Sequence, residues 1–363
     1  MGLMKIFLIT LITIFVFTGC STKQIYFKEL PKTKLEKSDF SMLPNWKNEE
    51  FDNVLKLFIK NCTSSRSQKI YPNLCQKALH VKDSKKFFET NFTPYQIKST
   101  NDESLLTGYY EPLIEGSLEK KAPFIYPIYK TPKDLITINL NSIYPELKKY
   151  RLRGKLEGNK LIPYNSREDI SKDEIDADII CYTNSKIDLF FLEVQGSGRV
   201  KLRDGKIIFI GYDNQNGHRY KSIGKYLVNK GEIPLKNISL QSIKKWLEEN
   251  PNRIDEVLNY NKSVVFFKER KKPATGALNI VLTQKRSVAV DRKYIPLGSM
   301  LYFDTKVDGK KFNKSVFAQD IGGAIKGEVR ADLFVGYGNE AMQTAGKLKS
   351  ALKIWIFLPK DLR

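Results

Sequence analysis

The chain of 363 residues has only two histidines, His80 and His218, and only four cysteines. Two histidines cannot build a three-histidine zinc site, and they leave a Ser-His-Asp hydrolase strained. The cysteines, Cys20, Cys62, Cys75 and Cys181, form no CxxC pair and have no zinc-ligand spacing, so neither a metal nor a cofactor is expected. HExxH, GxSxG and the phosphate-cradling GxxxxGK[ST] are missing. Acidic residues are scarce: 40 Asp and Glu stand against 61 Lys and Arg, a net charge of +21. Gly (22) and Pro (15) are too few for a collagen-like or linker-like chain. Hydrophobic residues, at 41%, suffice for a real core, which excludes wholesale disorder, and the length suggests two domains. The basic excess points to an anionic partner: nucleic acid, an anionic membrane face or an acidic polymer.

No apolar run is long enough to span a membrane as an ordinary helix. The longest, Ile6 to Phe17, follows the single charge of Lys5 and reads as the core of an export signal. It ends in Phe17-Thr18-Gly19-Cys20, which resembles a bacterial lipobox. Residues 1–19 are therefore expected to be a lipoprotein signal peptide and Cys20 the lipidated mature N-terminus. Several acyl chains on one residue give stable anchoring. Ser21, rather than Asp, follows Cys20 and favours the periplasmic face of the outer membrane. Export removes nucleic acid as a partner. Cys62 and Cys75 are close in sequence and free to pair in an oxidising compartment, whereas Cys181, within Ile179-Ile180-Cys181-Tyr182, reads as a buried thiol.

Residues 20–50 are polar and read as a tether. Helical spacing covers 51–62 and 81–92. From 105 to 210, short apolar runs are split by turn signals, which predicts many strands in a barrel or sandwich. Helices return at 218–230, 239–249 and 252–258. Strands are expected at 263–267, 277–282, 286–290, 300–303, 314–319, 329–335 and 353–358, with a helix at 339–349. The basic run 268–272 reads as a solvated loop.

Two motifs mislead. Gly336-Tyr-Gly338-Asn-Glu-Ala341 copies a dinucleotide-binding turn, but only 25 residues follow Gly338, too few for a βαβ unit. A tight strand-to-helix turn explains these glycines. Asp320-Ile321-Gly322 looks like an aspartic-protease turn, yet no second copy supplies the partner carboxylate. What remains is Asp291, Asp320 and Asp332, each at the edge of an apolar run. Such surroundings disfavour the charged form and raise the pKa, which suits a general acid.

The stretch from Val288 to Leu358 resembles the three-aspartate, double-psi β-barrel domain. Upstream, Leu106-Thr-Gly-Tyr-Tyr-Glu-Pro112, Tyr126-Pro-Ile-Tyr-Lys130, Glu193-Val-Gln-Gly-Ser-Gly198, Asn216-Gly-His-Arg-Tyr-Lys-Ser-Ile-Gly224 and Val264-Val-Phe-Phe267 resemble the membrane-bound lytic murein transglycosylase A family. The resemblance implies a mainly β fold with accessory helices, in which a double-psi β-barrel is interrupted by an inserted second β-barrel and a groove runs between them. It places a helical segment at 51–106, the insert at 107–262 and the double-psi barrel at 263–363.

The implied reaction cleaves the β-1,4 link between N-acetylmuramic acid and N-acetylglucosamine without water, leaving a 1,6-anhydromuramic end. Asp332 falls at the catalytic position and Asp320 beside it. Tyr109, Tyr110, Gln195, Ser197, Gly198, Asn216, His218, Asp291, Gly323 and Lys326 are implied to line the glycan site. Implied partners are peptidoglycan strands, the outer membrane through Cys20, and cell-wall synthesis proteins as further candidates, with the enzyme a monomer. Two other readings stay open: an inverting hydrolase using Asp320 and Asp332, and a non-catalytic murein-binding lipoprotein.

Overall fold

The computed structural model describes residues 33–360 apart from 102 and 174. The expected signal peptide, the lipidation site Cys20 and the first part of the tether lie outside the described residues.

In chain order the strands are β1 (Lys34–Lys37), β2 (Phe92–Lys98), β3 (Ser104–Glu111), β4 (Leu113–Ser117), β5 (Tyr126–Tyr129) and β6 (Ile136–Thr137). They continue as β7 (Arg153–Glu157), β8 (Lys160–Pro163), β9 (Ile179–Thr183), β10 (Ser197–Leu202), β11 (Ile207–Gln215) and β12 (Val265–Arg270). The last are β13 (Ser287–Val290), β14 (Met300–Val307), β15 (Lys310–Asp320), β16 (Val329–Tyr337), β17 (Lys349–Ser350) and β18 (Lys353–Pro359). One sheet of nine strands runs β1-β2-β18-β14-β15-β13-β16-β3-β17, and one of six runs β12-β11-β10-β4-β9-β5. β6, β7 and β8 form a small third sheet.

Period-two alternation decides what each face of the large sheet does. Val329, Ala331, Leu333 and Val335 of β16 join Leu301 and Phe303 of β14 and Ile354 and Ile356 of β18 in one apolar core. Seven strands feed this single cluster, as a sheet curled on itself requires. The alternate residues Met300, Tyr302, Trp355 and Phe357 point the other way, against the helices Phe51–Asn61, Ser65–Ile70, Pro72–Ala78 and Ser84–Asn91. Phe58, Tyr71, Phe88 and Phe92 fill that second core, each burial contributing about 1.5–3 kcal/mol. A disulfide joins Cys62 to Cys75 and ties two of these helices together. Cys181 is free and buried.

The expected tether is shorter than its sequence suggests. β1 pairs with β2, and Trp46, 4% exposed, stacks on Phe40 at 4.8 Å and meets Tyr302 and Phe357 edge-on, both at 5.5 Å. The few apolar residues in this polar segment cap the aromatic core.

Three other expectations change. Within the stretch read as strands, Lys186–Gln195 is a helix, capped by the Ser185 side chain and stopped by Gly196 at φ 75°. Residues 277–282 form a hairpin loop instead of a strand, closed by Gly276 N–H to Ile280 O and Leu282 N–H to Ala274 O. The start of the basic run, Lys268 to Arg270, completes β12 instead of forming a loop.

The chain crosses from the large sheet to the six-stranded one between Glu111 and Leu113 and returns between Arg270 and Ser287. This makes a mainly β, two-domain fold with accessory helices. Glu111, 1% exposed, fastens the crossing: it accepts from Arg199 Nε at 2.9 Å and from the Ala274 N–H at 3.1 Å. The Arg199 guanidinium lies 3.6 Å from the ring centre of Tyr337.

Candidate active site

Ala289, in the middle of β13, is paired with Asp320 of β15 on one side and with Asp332 of β16 on the other. Directly paired residues share a face. The two carboxylates therefore stand on one face, two strand spacings apart, with about 10 Å between their Cα atoms.

This juxtaposition depends on a bulge. Val288 pairs with Ala318 and Ala289 with Asp320, so Gln319 is an extra residue in β15. Ala318 faces the core, and strict alternation would send Asp320 there too. The bulge turns Asp320 outward instead. Gln319, only 3% exposed, accepts from Ser287 Oγ at 2.6 Å and donates to Asn61 Oδ1 at 3.1 Å, which secures the irregular register.

The two aspartates have different partners. Asp320 accepts three hydrogen bonds: Oδ1 from the N–H of Ala277 and of Ile321, both at 2.9 Å, and Oδ2 from Tyr109 Oη at 3.0 Å. Asp332 Oδ1 accepts from Thr107 Oγ1 at 2.6 Å, and among the described residues its Oδ2 has no hydrogen-bond partner. Thr107 lies directly opposite Asp332 on β3. The Thr107 hydroxyl in turn accepts from Arg330 Nη1 at 2.9 Å.

Burial pushes the Asp332 carboxyl above its ordinary range, against the pull of Thr107 and the Arg330 charge; the negative charge of Asp320 adds to the rise. Asp320 is also raised by burial, but the donors at Ile321, Ala277 and Tyr109 oppose the effect. Burial and the Asp320 charge hold the Tyr109 hydroxyl well above its usual value, so it is a donor throughout the physiological range. Burial thus raises both carboxyls; three donors oppose the rise at Asp320, whereas Asp332 keeps one oxygen without a hydrogen-bond partner among the described residues.

The other sequence-picked residues divide. Gly323 and Lys326 are exposed in the loop that leaves Asp320. Asp291, 5% exposed, accepts from the N–H of Lys293 at 3.1 Å and of Gly327 at 3.2 Å, which braces the same loop. Gln195 and Ser197 are half-buried at the end of the helix Lys186–Gln195 and the start of β10, beside the sheet crossing. Gly198 is a packing position, since a Cβ there would stand 2.3 Å from Leu192 Cδ1. Tyr110 points into the barrel core, so its ring serves packing and not a sugar face. Asn216, 1% exposed, spends its carboxamide on Asn165 O, Lys262 O and the Val264 N–H, leaving nothing for a ligand. His218 Nε2 is 2.8 Å from Tyr164 O.

Sequence reasoning passed over Thr107, Arg330 and Ala289. The signal was spacing: Thr107 is two residues from Tyr109, and Arg330 two from Asp332, each on the same strand face. Among the described residues no group of three or more His, Cys, Asp or Glu has the arrangement to hold a metal.

Comparison with known proteins identifies the family of the chain. Residues 105–268 match the MltA specific insert domain and residues 286–358 match the 3D domain. The chain is 33% identical over 331 residues to the membrane-bound lytic murein transglycosylase A homolog of Buchnera aphidicola subsp. Schizaphis graminum, covering 82% of this chain and 84% of that protein. The crystal structure of MltA from Neisseria gonorrhoeae superimposes with a TM-score of 0.81 at 34% identity, covering 91% of this chain and 93% of that one. The crystal structure of E. coli MltA with bound chitohexaose superimposes with a TM-score of 0.67 at 27% identity, covering 86% and 90%. With such a relative aligned over most of both chains, this chain belongs to the membrane-bound lytic murein transglycosylase A family.

Proposed function

We propose that this chain cleaves the β-1,4 bond between N-acetylmuramic acid and N-acetylglucosamine in peptidoglycan, with Asp332 as the single acid and base. The observation that carries the reading is the asymmetry of the two aspartates. Burial raises both, but Asp320 is held by three donors that oppose the rise, while Asp332 has one donor and one uncommitted oxygen.

Protonated Asp332 gives its proton to the glycosidic oxygen as the bond to the muramic anomeric carbon breaks through an oxocarbenium-like state. The N-acetylglucosamine hydroxyl leaves. The Asp332 carboxylate then takes the proton of the muramic 6-hydroxyl, whose oxygen closes on the anomeric carbon. No water is consumed, and the nucleophile is intramolecular, so proximity comes from the substrate itself. The Asp320 anion stabilises the positive charge that develops on the sugar. Gln195, Ser197, Gly323 and Lys326 are the proposed sugar contacts. A relative crystallised with chitohexaose supports a glycan strand as the ligand.

The proposed domains are the six-stranded system, about 107–262 with β12 added, set into the barrel formed by the large sheet. Anchoring through Cys20 to the outer membrane is the proposed location. It agrees with the membrane-bound name of the relatives. The test is a digest of purified murein followed by mass spectrometry. Anhydromuropeptides support the reading. Products heavier by one water would make the chain a hydrolase, and binding to sacculi with no release would make it a non-catalytic murein protein.

A further inference from the structure

The basic run that follows the sheet crossing has a structural destination. A cleft of about 420 Å³ is walled by Lys60, Arg270, Lys271 and Lys272, with Thr275 and Asn279 among its other residues. No Asp or Glu lines it, and among the described residues none of the four cations has a carboxylate partner. Lys60 donates to Thr283 Oγ1 at 3.0 Å, and burial lowers its pKa. Arg270 donates to Thr275 Oγ1. Four like charges lining one cleft without a counter-charge repel one another, and a bound anion relieves that cost.

The cleft is tied to the catalytic face. One of its walls is the hairpin 274–282, which supplies Thr275, Asn279, Ile280 and Val281. The tip of that hairpin holds the neighbouring site: Ala277 N–H donates to Asp320 Oδ1 at 2.9 Å and Leu278 N–H to Gln319 O at 3.0 Å. Thr275 is two residues from Ala277, at most about 7 Å of chain. A four-residue peptide reaches about 14 Å when extended, longer than the chain that separates Thr275 from the Ala277 contact to Asp320.

We propose that this cleft binds the carboxylates of the peptide stems carried by the glycan strand, and so gives the enzyme a preference for stem-bearing over bare strands. The proposal rests on the glycan-cleaving reading above. The sugars of such a strand are uncharged along most of its length, so its negative charge lies on the stems. Cations drawn from a helix, a strand end and a loop suit several carboxylates on a flexible chain better than one compact ion.

The test measures binding of full-length protein in an Asp332→Asn background, which leaves strands intact, and cleavage by the otherwise native protein. Stem-bearing glycan strands are compared with strands stripped by an amidase, which lose the stem carboxylates but keep one lactyl carboxylate on each muramic acid, close to the sugar ring. The pair Lys271→Gln/Lys272→Gln, at two exposed positions, should weaken binding of stem-bearing strands by about tenfold and of bare strands by less than about twofold. The salt sensitivity of stem-bearing binding should fall with it. Lys60→Gln should shift the same ratio in the same direction; circular dichroism checks that each variant is folded. Equal weakening of both strands, or an unchanged ratio, overturns the proposal. So does loss of binding to phosphatidylglycerol vesicles with stem preference retained, which would make the cleft a lipid-headgroup site. If the native protein binds stem-bearing strands preferentially but cleaves neither kind, the catalytic reading fails and the cleft stands.

Discussion

Thr107 Oγ1 donates to Asp332 Oδ1 at 2.6 Å, although the two residues are 225 positions apart in the chain. Parallel pairing of β3 with β16 sets them opposite each other, and Arg330 loads the same hydroxyl from behind. Under the proposed mechanism Thr107 is a positioning residue: its hydrogen bond orients the Asp332 carboxyl and favours its ionised form.

Thr107→Val removes that donor. The carboxylate of Asp332 loses stabilisation, so the group stays protonated to higher pH. The basic limb of the pH profile of kcat/KM should move upward, with kcat lowered by about tenfold because the acid is less well aimed. Thr107→Ser should restore the native limb. A profile that does not move in Thr107→Val shows that the hydroxyl does not tune Asp332.

Ala289 separates the aspartates with a single methyl group and is 3% exposed. Ala289→Leu places three more carbons in that row, at about 1–3 kcal/mol of overpacking strain. The expected result is a folded protein with kcat/KM down about a hundredfold, read from the rate of anhydromuropeptide release. Ala289→Ser, nearly the same size, should lose less than about fivefold.

Much of this face was legible in advance, and the reasons differ from one residue to the next. Asp332 was singled out by the family resemblance, and the clean alternation of β16, with Val329, Ala331, Leu333 and Val335 on the inner face, puts it on the outer one. The outward turn of Asp320 was not legible, since it depends on the bulge at Gln319, and that bulge is fixed by Ser287 and Asn61 from distant elements. Tyr109 and Tyr110 look alike in sequence, but a one-residue offset sends one to Asp320 and the other to the core. The helix Lys186–Gln195 carried its signals, a Ser cap and a Gly stop, inside a stretch whose texture was β. The cleft of lysines lay beyond reach because Lys60 comes from a helix more than two hundred residues before the basic loop.

The raised pKa of Asp332 has a cost in stability. Between the usual carboxyl value of 3.8 and the higher folded value, the folded state binds more protons than the unfolded one. Stability therefore falls as pH rises through that window. Asp332→Asn removes the cost, so its Tm at pH 7 should exceed that of the native protein by roughly a few degrees, the difference vanishing below about pH 4. A lower Tm at pH 7 would mean that Asp332 is stabilised as an anion, contrary to the acid role proposed for it.

The Cys62–Cys75 bridge closes a loop of sequence separation 13. Loop entropy predicts about 3 kcal/mol of stabilisation. Cys62→Ser/Cys75→Ser should lower Tm by several degrees and leave kcat/KM near the native value at 25 °C, because the bridge lies in the helical cap and not on the aspartate face. Equal Tm values with and without reductant would show that the bridge contributes nothing.

The most direct measurement compares native protein, Asp332→Asn and Asp320→Asn in the murein digest, with products identified by mass. If Asp332 alone carries the proton, Asp332→Asn releases anhydromuropeptides at least about a thousandfold more slowly. Asp320→Asn, which removes a supporting charge, retains measurable release of the same anhydro products. Near-normal release by Asp332→Asn, or native products that carry an added water and vanish in both variants, would contradict the single-aspartate mechanism.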